Sequence, residues 1–199
     1  NQGNTWHGIA SDGRLWGVGM GIWGQVGDGT TTNRSDTSTP VTIGSATDWT
    51  HVTGSWSTSC GLRGPGNLYC WGLGELGFAY QGGVPQPSPT RVGAQSDWSS
   101  VETSMSSTCG TRGTGELWCF GGLAHDYVPT QIGTGTDWHG LAMQWGAQSR
   151  VDRLCGLRSN GEIWCLGDFR EITEVNTDNW TTPRRIDVNA GFSSIDMGH

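Results

Sequence analysis

The sequence predicts an all-β protein built from short strands in a repeated unit. Three observations predict it: a small cysteine-flanked hairpin that recurs at fixed spacing, a proline-to-tryptophan string between hairpins, and a composition unsuited to helices. With 34 Gly, 12 Trp and only 34% hydrophobic residues in 199, helices are disfavoured, because each interior Gly costs a helix about 1 kcal/mol relative to Ala. The same composition suits short strands and tight turns, with large aromatic side chains supplying the burial. The length fits one substantial domain, residues 1–199.

The hairpin comes first. "CGLRGPGNLYC" (Cys60–Cys70), "CGTRGTGELWC" (Cys109–Cys119) and "CGLRSNGEIWC" (Cys155–Cys165) share one design. Pairing back from the cysteines sets Gly61 against Tyr69, Leu62 against Leu68 and Arg63 against Asn67, around a three-residue loop. Such loops commonly take a type I turn followed by a left-handed residue, usually Gly. Directly opposed residues lie about 4.5–5.5 Å apart between Cα atoms, within reach of a disulfide. Cys60–Cys70, Cys109–Cys119 and Cys155–Cys165 are therefore expected to be bonded. Structural zinc would favour Cys-x2-4-Cys pairs, which the sequence lacks. Persistent disulfides imply an oxidising compartment, so the expected location is secreted or cell-surface. Gly61, Gly110 and Gly156 face Tyr69, Trp118 and Trp164 across the hairpin, and each ring is expected to lie over its bare glycine. Both hairpin faces are apolar, so both should be covered by neighbours.

Between hairpins runs the second string. "PVTIGSATDW" (Pro40–Trp49), "PTRVGAQSDW" (Pro89–Trp98) and "PTQIGTGTDW" (Pro129–Trp138) share one spacing, and "PRRIDVNAGF" (Pro183–Phe192) is a decayed copy with Phe192 in the tryptophan place. The first unit, "HGIASDGRLWGVG" (His7–Gly19), keeps the hairpin with His7 and Gly17 where the others have cysteine. Hairpins begin at residues 7, 60, 109 and 155, and the third interval carries a six-residue insertion within Met143–Arg153. Self-similarity at this period indicates radial or linear repetition.

"CGLRSNGEIWCLG" (Cys155–Gly167) and "GVGMGIWGQVGDGT" (Gly17–Thr30) resemble the regulator of chromosome condensation repeat, and the resemblance covers nearly the whole chain. It implies a β-propeller whose blades each carry four short antiparallel strands, usually in rings of seven. The chain holds four blade equivalents of about 46–53 residues, so it is expected to be a segment of a larger propeller. A closed four-unit ring and two combining chains are the alternatives. The Gly-Gln-Val-Gly turn of Gly24–Gly27 is reduced in "GLGELG" (Gly72–Gly77) and missing from units three and four. The chain opens at Asn1 without Met or signal peptide, which reads as a mature, cleaved or excised start.

Charge excludes one partner class. The net charge is −7, with 11 basic residues spread along the chain, whereas nucleic-acid binding needs clustered Lys and Arg. No apolar run reaches the roughly 20 residues of a membrane helix. No catalytic or metal-binding constellation is present. His7, His51, His125, His139 and His199 occupy unrelated repeat positions; "GSWSTSCG" (Gly54–Gly61) is not a nucleophile elbow, and "GDGTTTNRSD" (Gly27–Asp36) is not a calcium loop. The chain is expected to be a non-enzyme without cofactor.

Two sequons, at Asn33 and Asn179, fall between hairpin and proline, in segments read as loops able to project a glycan. Trp23, Trp56, Trp145 and Trp180 recur at no equivalent position, which makes them candidate contact residues, while the recurring aromatics are expected in the core. The leading functional expectation is a structural or protein-interaction module, binding a protein partner or itself. The alternatives are a glycan-binding lectin and an enzyme inhibitor resembling the β-lactamase inhibitor of this propeller type.

Overall fold

The computed structural model describes residues 5–34, 39–74, 76–77, 83–145, 152–168, 179–186 and 191–196. Among them lie fifteen strands and no helix, arranged in four antiparallel sheets. The first sheet has three strands, β1 (Thr5–Ile9), β2 (Leu15–Gly19) and β3 (Val41–Thr42). The second is β4 (Trp49–Gly54), β5 (Thr58–Arg63), β6 (Asn67–Gly72) and β7 (Gln86–Arg91). The third is β8 (Trp98–Thr103), β9 (Ser107–Arg112), β10 (Glu116–Gly121) and β11 (Asp126–Gln131). The fourth is β12 (Trp138–Trp145), β13 (Asp152–Arg158), β14 (Ile163–Asp168) and β15 (Asn179–Arg185). Inner strand β4 packs beside β8 and β8 beside β12, so the sheets follow one another as blades of a propeller arc.

Each repeat string has a place in this plan. The Asp-Trp tryptophans open the inner strands, the hairpins form the two middle strands, and the prolines fall at or within the outer ones. Pro87, Pro89, Pro129 and Pro183 all lie in outer strands. Proline suits that position, because an edge strand has N–H groups that need no ladder partner, and removing one blunts the edge against stray pairing. Phe192 donates its backbone N–H to Gly161 O at 3.1 Å, just as Trp98 donates to Gly66 and Trp138 to Gly115. Phe192 thus takes the backbone position of the Asp-Trp tryptophans, as the decayed copy suggested.

The register is the one the spacing dictates. Cys60, Cys109 and Cys155 face Cys70, Cys119 and Cys165 and are bonded to them, with Cα atoms 4.1 Å apart, closer than the ladder alone would set. His7 faces Gly17 at the matching place in the first blade. The last loop residue has positive φ in every bonded hairpin, at Gly66, Gly115 and Gly161. Gly64 and Gly113 are positive as well, so the first two loops depart from the type I turn expected at that position.

One expectation is corrected. The ring over each hairpin glycine is not the cross-strand aromatic but the Asp-Trp tryptophan of the inner strand. A Cβ on Gly110 would stand 2.9 Å from two ring carbons of Trp98, and one on Gly156 would stand 2.7 and 2.8 Å from Trp138. The inner strand crosses the hairpin glycine closely enough that only a bare backbone fits. On the other face, Cys60, Cys70, Leu62 and Leu68 pack against Val101, Trp98 and Phe120 of the next blade. Cys109, Cys119 and Leu117 meet Trp138, Leu154 and Leu166 in the same way. The first two disulfides thus sit in inter-blade cores, bonding the middle strands where the next blade presses on them, while Cys155–Cys165 packs with Ile163, Ile186 and Ile195.

His7 holds the cysteine place in the first blade without a covalent bond. Its ring meets Trp71 edge-on at 5.5 Å, and Nε2 bonds Val26 O at 3.2 Å. Burial lowers its pKa from 6.5 to about 4, against the raising effect of its backbone bonds to Val26 and Gln25. The unfolded chain takes up this proton below pH 6.5 and the folded chain only near 4, so stability falls as pH drops across that window. The expected loss through His7 is about 2–3 kcal/mol. Urea unfolding at pH 7 and pH 4.5 checks it, with His7→Gln expected to remove this part of the slope.

Candidate functional site

The strands fix two ends for every blade. At one, here called the upper end, inner strands turn into hairpins and the third strands leave for the outer ones. At the lower end lie the hairpin loops and the links running into the next inner strand.

The lower end carries a repeated cluster that residue-by-residue reading of the sequence missed. Arg63 bonds Asp48 at 2.9 Å and lies over the rings of Trp49 and Tyr69, at 5.7 and 5.3 Å from their centroids. Arg112 bonds Asp97 at 3.1 Å and lies over Trp98 and Trp118, and Arg158 pairs with Asp137 between Trp138 and Trp164. An arginine held between two rings and a carboxylate locks inner strand to hairpin, since guanidinium planes stack on aromatic faces. The signal was available: the Asp of Asp-Trp and the Arg three places after each first cysteine recur together. Trp49, Trp98 and Trp138 are 4–5% exposed, as expected of recurring core aromatics. Among the described residues their indole N–H groups have no hydrogen-bond partner.

The upper end gathers the four non-recurring tryptophans. Trp56 lies in the turn between β4 and β5, and Trp145 ends β12 opposite Asp152. Trp23 lies in the link from β2 to β3, and Trp180 near the start of β15, paired with Gly167. Trp56 is 47% exposed, Trp23 and Trp145 are half-buried, and the side chain of Trp180 lies outside the described residues. The six-residue insertion lengthens β12 to eight residues; its remainder, 146–151, is not described.

Trp23 and Trp56 are tied together by Gln25, a buried residue of the Gly-Gln-Val-Gly turn. Gln25 Oε1 accepts the Trp23 N–H at 2.9 Å, and Gln25 Nε2 donates to Trp56 O at 3.4 Å. Its backbone carbonyl accepts from Trp71 Nε1 at 2.9 Å and Ser59 Oγ at 3.0 Å. One glutamine thus joins the first two blades and ties the backbone of half-buried Trp23 to that of exposed Trp56. Ile22, 44% exposed, extends the apolar surface beside them.

The remaining upper-end features are acidic. Asp152 is buried and accepts from Ser106 N and Oγ at 3.2 and 2.8 Å. Burial raises its pKa, as it raises that of Glu102, which accepts from Thr53 Oγ1 at 3.2 Å with His51 nearby. Among the described residues no group of three or more potential ligands could hold a metal ion, and no helix is long and apolar enough to cross a membrane. Asn33 is exposed, while Ser35 of its sequon is not described. Asn179 begins β15 instead of lying in a loop, which corrects the expectation for that sequon.

The family model of the regulator of chromosome condensation (RCC1) repeat matches residues 12–62. Those residues are therefore similar to one RCC1 repeat. A likeness of fold extends over the described blades. Human WBSCR16 superposes over 97% of this chain and 54% of its own, at a TM-score of 0.77 and 15% identity. Yeast RCC1 (Prp20), in complex with Kap60, covers 94% of this chain and 47% of its own, at 0.76 and 16%. Prp20p of Saccharomyces cerevisiae, described with its binding to Gsp1p and histones, gives 0.72 and 15%, with 49% of that chain covered. At these identities the likeness concerns the fold, and the chain spans about half the length of these structures. No curated protein sequence matches the chain significantly.

Proposed function

We propose that the chain is a non-enzymatic, secreted or cell-surface propeller module that docks a protein partner on its upper end. The observation carrying this reading is the apolar surface of Ile22, Trp23 and Trp56, held by the buried Gln25. Rigid aromatic anchors of this kind dominate protein interfaces. The three disulfides support the compartment. The RCC1-type structures it resembles include one solved with Kap60 and one described as binding Gsp1p and histones, so the same fold serves protein contacts there. The test is capture of native partners on immobilised protein, with Trp56→Ala and Trp23→Ala variants. A stoichiometric partner lost in both variants is expected; capture indifferent to both would overturn the reading.

Self-association is the second expected contact, and one observation favours it. Trp6 is 65% exposed, whereas Ser59, Thr108 and Leu154 at the matching places are each 1% exposed against the preceding blade. Strand β1 also has one unpaired edge among the described residues, and such edges recruit other chains. The 199-residue chain is expected to run as a dimer or larger species in light scattering and to become monomeric on Trp6→Ser. A monodisperse 21.3 kDa monomer would contradict it.

A further inference from the structure

Between the first two blades, at the lower end, lies a cavity of 770 Å³ whose walls include Asp28, Ser45, Asp48, Arg63, Tyr69 and Ser88. Its volume falls within the range of small-molecule sites, about 300–1,000 Å³. It arises from departures of this copy from the repeat. Tyr69 stands where the later blades have Trp118 and Trp164, and the Gly-Asp-Gly turn of Gly27–Gly29 forms a wall that the later units do not repeat.

Its arginine is also less engaged than its equivalent. Arg112 offers both Nε and Nη2 to Asp97 and closes to 4.4 Å over Trp118. Arg63 gives Asp48 only its Nε, and among the described residues its terminal nitrogens make no bond. They remain free to donate into the cavity.

We propose that this cavity binds a neutral pyranose sugar. The charges of its walls cancel, since Asp28 pairs with Arg34 at 2.5 Å and Asp48 with Arg63. Neither an anion nor a cation finds an unbalanced counter-charge there. Ring hydroxyls both donate and accept, and the walls match them: Arg63 donates, Asp48 accepts, and Ser45 and Ser88 do either. Ala46 and Pro89 supply an apolar patch beside Tyr69 for the C–H face of a sugar ring. Neither Trp23 nor Trp56 lines the cavity, so its test is separate from that of the protein-docking reading.

The experiment is saturation-transfer NMR with methyl glucoside, methyl galactoside and N-acetylglucosamine, each at millimolar concentration. Ser45 and Ser88 are exposed, so Ser45→Trp and Ser88→Trp fill the cavity mouth without entering the core. Melting temperatures within 2–3 degrees of wild type, roughly the shift for less than 1 kcal/mol, confirm that both variants are folded. Transfer from at least one sugar, reduced about tenfold or more in both variants and unchanged in Trp56→Ala, is expected. Transfer from none of the three sugars, or transfer that survives both cavity-filling changes, overturns the proposal. Loss on Trp56→Ala alone overturns it too, by placing the sugar on the upper-end aromatics.

Discussion

Gly110→Ala is expected to destabilise the chain by about 2–3 kcal/mol, the usual cost of forcing an atom into a packed core. The added Cβ would overlap the backbone carbonyl of Ser100 and stand 2.9 Å from the Trp98 ring. Neither neighbour yields cheaply. The carbonyl belongs to the inner strand, and the ring is held by Arg112 and by the core between blades. Gly8 occupies the same repeat position in the first blade, where among the described residues no inner strand crosses it and a Cβ meets nothing within 4 Å. Gly8→Ala is therefore expected to be neutral or slightly stabilising, since Ala restricts the unfolded chain. Urea midpoints of the two variants measure the contrast. Equal effects would mean that the inner tryptophan does not cross the hairpin glycine.

The second large effect comes from restoring the repeat where the sequence departs from it. His7→Cys with Gly17→Cys places two cysteines on a pair already in the register of the three bonded hairpins. Closing a ring of this size stabilises by about 2–3 kcal/mol in the loop-entropy account. A Cβ on Gly17 would lie 3.0 Å from Ile43 Cδ1 and from Val26 O, so the Val26 carbonyl must give by a few tenths of an ångström. The contact of His7 with Trp71 is lost as well. The oxidised double variant is expected to exceed its own reduced form by about 2–3 kcal/mol and wild type by less. Two free thiols in the folded double variant would show that the first hairpin does not share the register.

Much of this fold was legible because the sequence repeats it. Ten-residue cysteine spacing around a three-residue loop leaves a single register with the thiols opposed, and Cys60–Cys70 takes it. The prolines and Asp-Trp pairs marked outer and inner strands by the same recurrence. Partner choice across blades was harder to read. Tyr69 is the neighbour of Gly61 along the hairpin, but the ring that covers Gly61 belongs to Trp49, on the strand before it. Pairing within a hairpin follows from spacing; stacking of a third strand upon it depends on tertiary register.

The candidate site divides the same way. The Arg63–Asp48 pair and its two copies recur at fixed offsets, so a search for coupled positions would have found them. Gln25 gave no such signal as a core residue, because the turn that buries it survives complete in one unit only. That Trp23, Trp56, Trp145 and Trp180 share one end of the blades follows from strand direction. It could be read only once the strands were placed.

The disulfide-bonded hairpin is the central element of this account, and mapping its bonds under non-reducing conditions tests it most directly. Arg63, Arg112 and Arg158 each fall between the two cysteines of a hairpin, so trypsin leaves all six cysteines in separate peptides. The unreduced, alkylated protein is predicted to yield three linked pairs: 35–63 with 64–91, 92–112 with 113–150, and 154–158 with 159–170. Each pair should separate only on reduction. Alkylated cysteines in the native protein, or links between peptides of different hairpins, would contradict the register on which the four blades are built.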